Sequence, residues 1–291
     1  MSVLRVATRG SALALWQARH VAALLRAAHP DVVVEEVIVE TAGDRNRDVP
    51  IAEIGGRGVF TKEVQAAVLD GRADLAVHSA KDLPSSAELQ PPGLVIAAVP
   101  ERADPRDALV GSMLDGLGPG ATVATGSARR RVQLTDRRPD LTFAELRGNI
   151  DTRLAKASQF AAIVVAYAAL VRLERTDVVA EVLDPLVMLP QVGQGALAIE
   201  CRPDTAELVA AIEHAPSRRC VDAERAWLAM LGGGCDLPAG AFCTLNDDGT
   251  LRLRALLSSY DGRIVLRDEN DGDGTALATR MLDNGGRSLF E

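Results

Sequence analysis

"VLRVATRGSALALWQARHVAALLRAAHPDVVVEEVIV", residues 3–39, decides the fold class of this chain. "VLRVAT" (3–8) is an apolar run of strand length. Ser11 then stands where an N-cap belongs, an apolar periodicity runs through 11–29, and Pro30 stops it, which is the pattern of a helix. "VVVEEVIV" (32–39) is rich in β-branched residues and reads as a second strand. Further out, "TKEVQAAVLDG" (61–71) reads as a helix, and "ADLAVHS" (73–79) and "LVIAAV" (94–99) as strands. This alternation implies a mainly parallel sheet with helices on both faces.

A second cycle opens after "PERADPRD" (100–107), which reads as a crossing between domains. Strands are expected at "ATVAT" (121–125), "LTFAEL" (141–146) and "AAIVVAY" (161–167), with helices near 127–138 and 149–159. "LPQVGQG" (189–195) punctuates a return to the apolar strand "ALAIEC" (196–201). After Pro216 a long helix (217–231) meets "GGGCDLP", and strand-like runs at 239–245, 251–258 and 263–268 precede a final helix. The last part reads as a separate small α/β domain. Residues 41–60 carry four glycines and no periodicity, which suits a mobile cover over a site.

The chain is acidic overall, with 32 Lys plus Arg against 40 Asp plus Glu and a net charge of −8, which excludes a general nucleic-acid binder. No apolar run reaches the ~18 residues of a membrane span. The N-terminal stretch lacks the pattern of a signal peptide. Cys201, Cys220, Cys235 and Cys243 show no metal-ligand or redox spacing. A cytoplasmic protein with reduced thiols and no metal is the expectation. All basic residues except Lys62, Lys81 and Lys156 are arginine, so an isolated arginine carries little information.

Ligands of open α/β sheets sit beyond the carboxyl ends of strands, near helix N-termini. Polar clusters stand at those places: "TRGS" with Arg9 and Ser11; "HSAKDLP" with His78, Ser79, Lys81 and Asp82; "TGSARRR" (125–131); and "RGNIDTR" with Arg147 and Arg153. Each joins a hydroxyl or a glycine turn to a cation, the chemistry that holds carboxylates and phosphates. Four such clusters point to a ligand with several negative charges. Asp82 is the exception, a carboxylate set to meet a cationic part of the substrate while Lys81, its neighbour on an extended segment, faces the anion. His78 reads as a structural hydrogen-bonding residue. Cys235, after three glycines, is either an inert thiol or one brought close to something bulky.

Taken together, "ATRGSALALWQ", "GRADLAVHSAKDLP", "PRDALV", "TGSARRRVQL", "LRGNIDTRL", "LPQVGQGALAIECR" and "AERAWLAMLGGGC" resemble the porphobilinogen deaminase (hydroxymethylbilane synthase) family along nearly the whole chain. The resemblance implies two periplasmic-binding-protein-like domains, 1–99 with 196–214 and 104–189, and a third domain at 217–291. It implies a transferase that joins four porphobilinogen molecules head to tail with loss of ammonia, and a dipyrromethane cofactor held through a thioether to Cys235. Asp82 matches the catalytic aspartate. Arg129 and Arg130 match paired anion-binding arginines, with Arg131 left towards solvent. Arg9, Ser11, Ser79, Lys81, Thr125, Ser127, Arg147, Arg153, Arg172 and Gln194 complete the binding set for substrate and cofactor. A monomer serving porphobilinogen and the growing polypyrrole is implied, with a transient hand-off to uroporphyrinogen-III synthase as a partner to be tested.

Glu53 and Arg57 depart from the lysines usual in the cover loop, and "FAAIVVA" and "GGGCD" lack acidic residues often found there. None of these touches Asp82, the arginines or Cys235. A non-catalytic anion-binding protein of the two-domain solute-receptor type is the rival reading. It would call for a signal peptide and gives the thiol loop no purpose.

Overall fold

The computed structural model describes residues 2–41, 61–232 and 237–289. Glu53, Arg57 and Cys235 lie outside the described residues, as does nearly all of the expected cover loop. The chain divides into two compact units, Met1–Ala103 with Ala196–Arg219, and Asp104–Gly195 with Cys220–Glu291.

In the first unit, β1 (Ser2–Thr8) pairs in parallel with β2 (Val32–Ile38) and β3 (Leu75–Ser79). β10 (Leu197–Cys201) runs antiparallel between β3 and β4 (Val95–Ala98), giving the order β2-β1-β3-β10-β4. Alternate residues of a strand face opposite sides. Val6, Leu75 and Val77 accordingly bury against Ala18, Val21 and Leu25 of α1 (Ala12–Ala28). Ala7 and Ala76 face the other way, against Val64, Ala67 and Val68 of α2 (Lys62–Leu69). With aromatics at 3% of the chain, alanine on the sheet lets each helix settle close to it.

The second unit holds a sheet of order β7 (Thr142–Ala144), β6 (Thr122–Ala124), β8 (Ala162–Ala166), β5 (Asp107–Val110), β9 (Val179–Val182). β6 is parallel to β7 and β8, and α3 (Ala128–Arg137) follows β6. β5 and β9 run antiparallel, and neither is anticipated from the sequence. The four residues of β5 are all buried and the four of β9 all half-buried, so neither strand carries a periodicity to read.

The same unit contains the antiparallel sheet of β11 (Ala239–Leu245), β12 (Leu251–Ser258) and β13 (Val265–Asn270), which has its own core around Trp227, Leu253, Leu257, Leu277 and Met281. At Gly240 this sheet comes so close to the 189–190 backbone that a Cβ would lie 2.8 Å from the Pro190 carbonyl oxygen. Val132, Leu189 and Leu256 seal the junction. The fold is therefore α/β, with two mainly parallel sheets and one small antiparallel sheet, as the sequence implies. Among the described residues no helix is long and apolar enough to cross a membrane.

Candidate active site

The carboxyl ends of β1 and β3 are neighbours in one sheet, so the residues that follow them meet. Ser11 caps α1, its Oγ accepting from the Ala14 N–H at 3.3 Å. Gln17, buried on the same helix, donates to Ser79 Oγ at 3.0 Å and ties the helix to the end of β3. The chain then makes a 3₁₀ turn over Ala80–Asp82, pinned by Ala80 N–H to the Ala196 carbonyl at 3.0 Å. A pocket of about 70 Å³ results, lined by Arg9, Ser11, Gln17, His78, Ser79 and Asp82 together with apolar side chains such as Leu13 and Val64.

The turn corrects one expectation. Lys81 and Asp82 are not on an extended segment, yet successive side chains of a 3₁₀ turn still diverge, by about 120°. Asp82 enters the pocket, and Lys81 is not among the described residues that line it. A carboxylate beside a guanidinium and two hydroxyls can accept from N–H donors and face a developing cation, and a guanidinium with a hydroxyl can hold an anionic group.

At one wall of this pocket, His78 Nε2 lies 3.1 Å from Glu200 Oε2, and Gln65 Nε2 donates to the same oxygen at 2.8 Å. All three side chains are buried between the sheet and α2. His78 is thus buried beside Glu200, but among the described residues its Nε2 makes no hydrogen bond, so the hydrogen-bonding role expected of it is not met at that atom. Glu200 was not foreseen, although a lone glutamate within "ALAIEC" is a signal, since a buried carboxylate needs a partner.

In the second unit, Arg129 and Arg130 open α3 and turn inward. Arg129 Nη2 lies 2.8 Å from Asp107 Oδ2, and Arg130 Nη2 2.7 Å from Oδ1. Arg129 Nη1 also donates to the Leu189 carbonyl, and Arg130 Nη1 to that of Val164 at 3.0 Å. Gln194 Nε2 completes the cluster with bonds to Asp107 Oδ1 at 2.8 Å and to the Pro105 carbonyl at 2.7 Å. Burial pushes the Asp107 carboxyl up, but the fields of Arg129 and Arg130 and the hydrogen bonds from Arg130 and Gln194 outweigh it. The carboxyl is held well below the usual range. Burial lowers the Arg129 pKa despite the attraction of Asp107.

Two guanidiniums against one carboxylate leave a surplus positive charge in a buried setting. Arg172 adds another: it is buried, donates to the Gly195 carbonyl at 2.6 Å, and burial lowers its pKa to about 10, so it is still charged at neutral pH. Asp107 escaped the sequence reading. A carboxylate opening "DALV" within reach of two adjacent arginines becomes legible only when β5 is placed.

The hydroxyls have local tasks as well. Thr125 Oγ1 accepts from the Ser127 N–H at 3.2 Å, and Ser127 caps α3 through the Arg130 N–H at 3.4 Å. Arg131 stays outside, 2.8 Å from Glu145, whose other oxygen is 3.6 Å from Arg147. The turn after Arg147 requires glycine: Gly148 has φ +112°, and a Cβ there would meet Thr152 at 2.6 Å. Asn149 caps α4 (Ile150–Ala155), and Arg153 Nε donates to the Gly148 carbonyl at 2.8 Å. Arg147 and Arg153 therefore flank one rigid turn. Of the remaining cysteines, Cys201, Cys220 and Cys243 are buried, and burial pushes the Cys201 thiol up to about 11, so it is an unreactive group.

Residues 4–210 match the family model described as "Porphobilinogen deaminase, dipyromethane cofactor binding domain", and residues 218–283 match the C-terminal domain of the same family. A porphobilinogen deaminase of Syntrophus aciditrophicus (strain SB) is 47% identical over 303 aligned residues, covering 99% of this chain and 98% of its own. One from Nitratidesulfovibrio vulgaris is 49% identical over 280 residues, covering 94% and 87%. Among solved structures, the methionine binding protein MetQ is similar at 15% identity and a TM-score of 0.43, over 79% of this chain and 96% of its own. The chain belongs to the porphobilinogen deaminase family.

Proposed function

We propose that the chain joins four porphobilinogen molecules head to tail, releasing one ammonia at each addition, and that one water then cleaves the four-ring product free, supplying the hydroxyl of hydroxymethylbilane. The observation that carries this reading is the first-unit pocket, where Asp82 stands beside Arg9 and two hydroxyls at the ends of β1 and β3. In each addition the aminomethyl C–N bond breaks and its electron pair leaves with ammonia. The carbon left behind is part of a cation delocalised over the pyrrole. A pyrrole carbon at the growing end attacks it, a C–C bond forms, and that ring carbon then releases its proton. Asp82 stabilises the positive charge through both steps and accepts from pyrrole N–H groups. It also stands ready to receive the departing proton.

Every pyrrole carries an acetate and a propionate, which is why a chain of net charge −8 concentrates cations here. Arg9, Ser11, Ser79 and Lys81 bind them in the first unit. In the second, Arg147 and Arg153 do so beside Thr125 and Ser127, while Arg129, Arg130 and Arg172, with Gln194 holding Asp107, supply the buried surplus charge.

The polar walls around Asp82 fit a dipyrromethane, which offers N–H donors to the aspartate and carboxylates to Arg9 and Ser11. When bound, this group supplies the nucleophilic pyrrole that begins the chain of rings. We assign its thioether anchor to Cys235. The intact mass of the purified chain is expected to exceed the sequence mass by a dipyrromethane and to give a colour with Ehrlich's reagent. Cys235→Ser is expected to lose both, and a variant that kept the added mass would refute the anchor. The proposal extends to a monomeric cytoplasmic enzyme that passes its product to uroporphyrinogen-III synthase.

A further inference from the structure

After β7 ends at Ala144, Leu146 enters the core while Glu145 and Arg147 on either side of it remain about half exposed. The two oxygens of Glu145 are divided. Oε1 lies 2.8 Å from Arg131 Nη2, and Oε2 lies 3.6 Å from Arg147 Nη2. Oε2 also sits over the turn that leads into α3, since a Cβ on Gly126 would be 3.5 Å from it. The carboxylate therefore stands between Arg131 and Arg147, over the turn that leads into α3, where a carboxylate of a ligand would be drawn by the same cation.

We propose that Glu145 competes with substrate carboxylates for Arg147, and that Arg131 restrains it, so that these two residues set how readily the chain takes a carboxylate-bearing pyrrole. The inference rests on the reading of Arg147 as a binder of a substrate carboxylate. The shorter contact goes to Arg131, which biases the carboxylate away from Arg147. All three side chains are 43–53% exposed. Exposed pairs of this kind are weak enough to be exchanged for a ligand without a large barrier. Arg131, which the family resemblance leaves towards solvent, thereby has a role. It holds the competitor rather than the substrate.

The test is a mutant cycle on the purified, cofactor-bearing enzyme, with KM and kcat for porphobilinogen measured for Glu145→Gln, Arg131→Gln, the double variant and Arg147→Gln. Glu145→Gln is expected to lower KM and Arg131→Gln to raise it, each by about twofold to fivefold, the range of exposed ion pairs. In the Glu145→Gln background, Arg131→Gln is expected to have no further effect on KM. Both effects should shrink as salt is raised, because the groups are exposed. Additive changes would show only a long-range charge effect and would overturn the proposal, as would an unchanged or raised KM in Glu145→Gln. A raised KM in Arg147→Gln with no response at Glu145 overturns this inference alone. An unchanged KM in Arg147→Gln removes the reading beneath it and the inference together.

Discussion

Asp82→Asn is expected to turn over porphobilinogen about a thousandfold more slowly than the parent chain. A carboxylate ~4 Å from a developing cation is worth roughly 4 kcal/mol at an effective dielectric of 20. Realised only in the transition state, that energy corresponds to about three powers of ten in rate. Asparagine keeps the size of the side chain and one acceptor oxygen, and the 3₁₀ turn at Ala80–Asp82 is held by backbone bonds to Ala80 that the substitution leaves alone. The folded chain and its bound dipyrromethane should therefore survive, and the loss should fall on kcat. Ammonia release under saturating porphobilinogen is the measurement. Turnover near the parent rate would show that the charge of Asp82 is not what the pocket contributes.

Asp107→Asn is expected to be the most damaging single change to stability, by about 3–5 kcal/mol, because it strips the counter-charge from two buried cations. Arg129 and Arg130 are 3% and 6% exposed and cannot turn to water without opening β5 and α3. Urea unfolding should show a lower midpoint for the variant, and an unchanged midpoint would contradict the account of the cluster. The pH dependence has a definite sign. The folded carboxyl titrates below its unfolded value of about 3.9, so its stabilisation is fully present above that pH and is lost as pH falls through the depressed folded value. Asp107→Asn should accordingly flatten the acid limb of the stability profile.

What was legible in the sequence was local. Ser11 announced a helix start and a second helix was expected near 127–138; Ser11 and Ser127 cap the two helices. The rule that ligands gather beyond strand ends placed Arg9, Ser11, Ser79 and Asp82 correctly as a group, because β1 and β3 are parallel neighbours. What stayed hidden were pairings between residues far apart in the chain. Asp107 meets Arg129 across 22 positions, and Glu200 meets Gln65 across 135. Each depends on a strand, β5 or β10, whose partners are set by topology rather than by pattern. Of the arginine triplet, Arg129 and Arg130 read as paired anion receptors and Arg131 as a residue towards solvent, yet the two buried guanidiniums grip Asp107, and Arg131, half exposed, grips Glu145. Residue type gave the sign of the charge, and only the packing of α3 against β5 gave its direction.

The most direct test of the enzyme itself is to mix the purified chain with porphobilinogen and to follow ammonia and linear tetrapyrrole together. Four molecules of ammonia for each hydroxymethylbilane are expected. A chain that binds porphobilinogen and releases none would be a receptor for the anion, and the catalytic reading would fall.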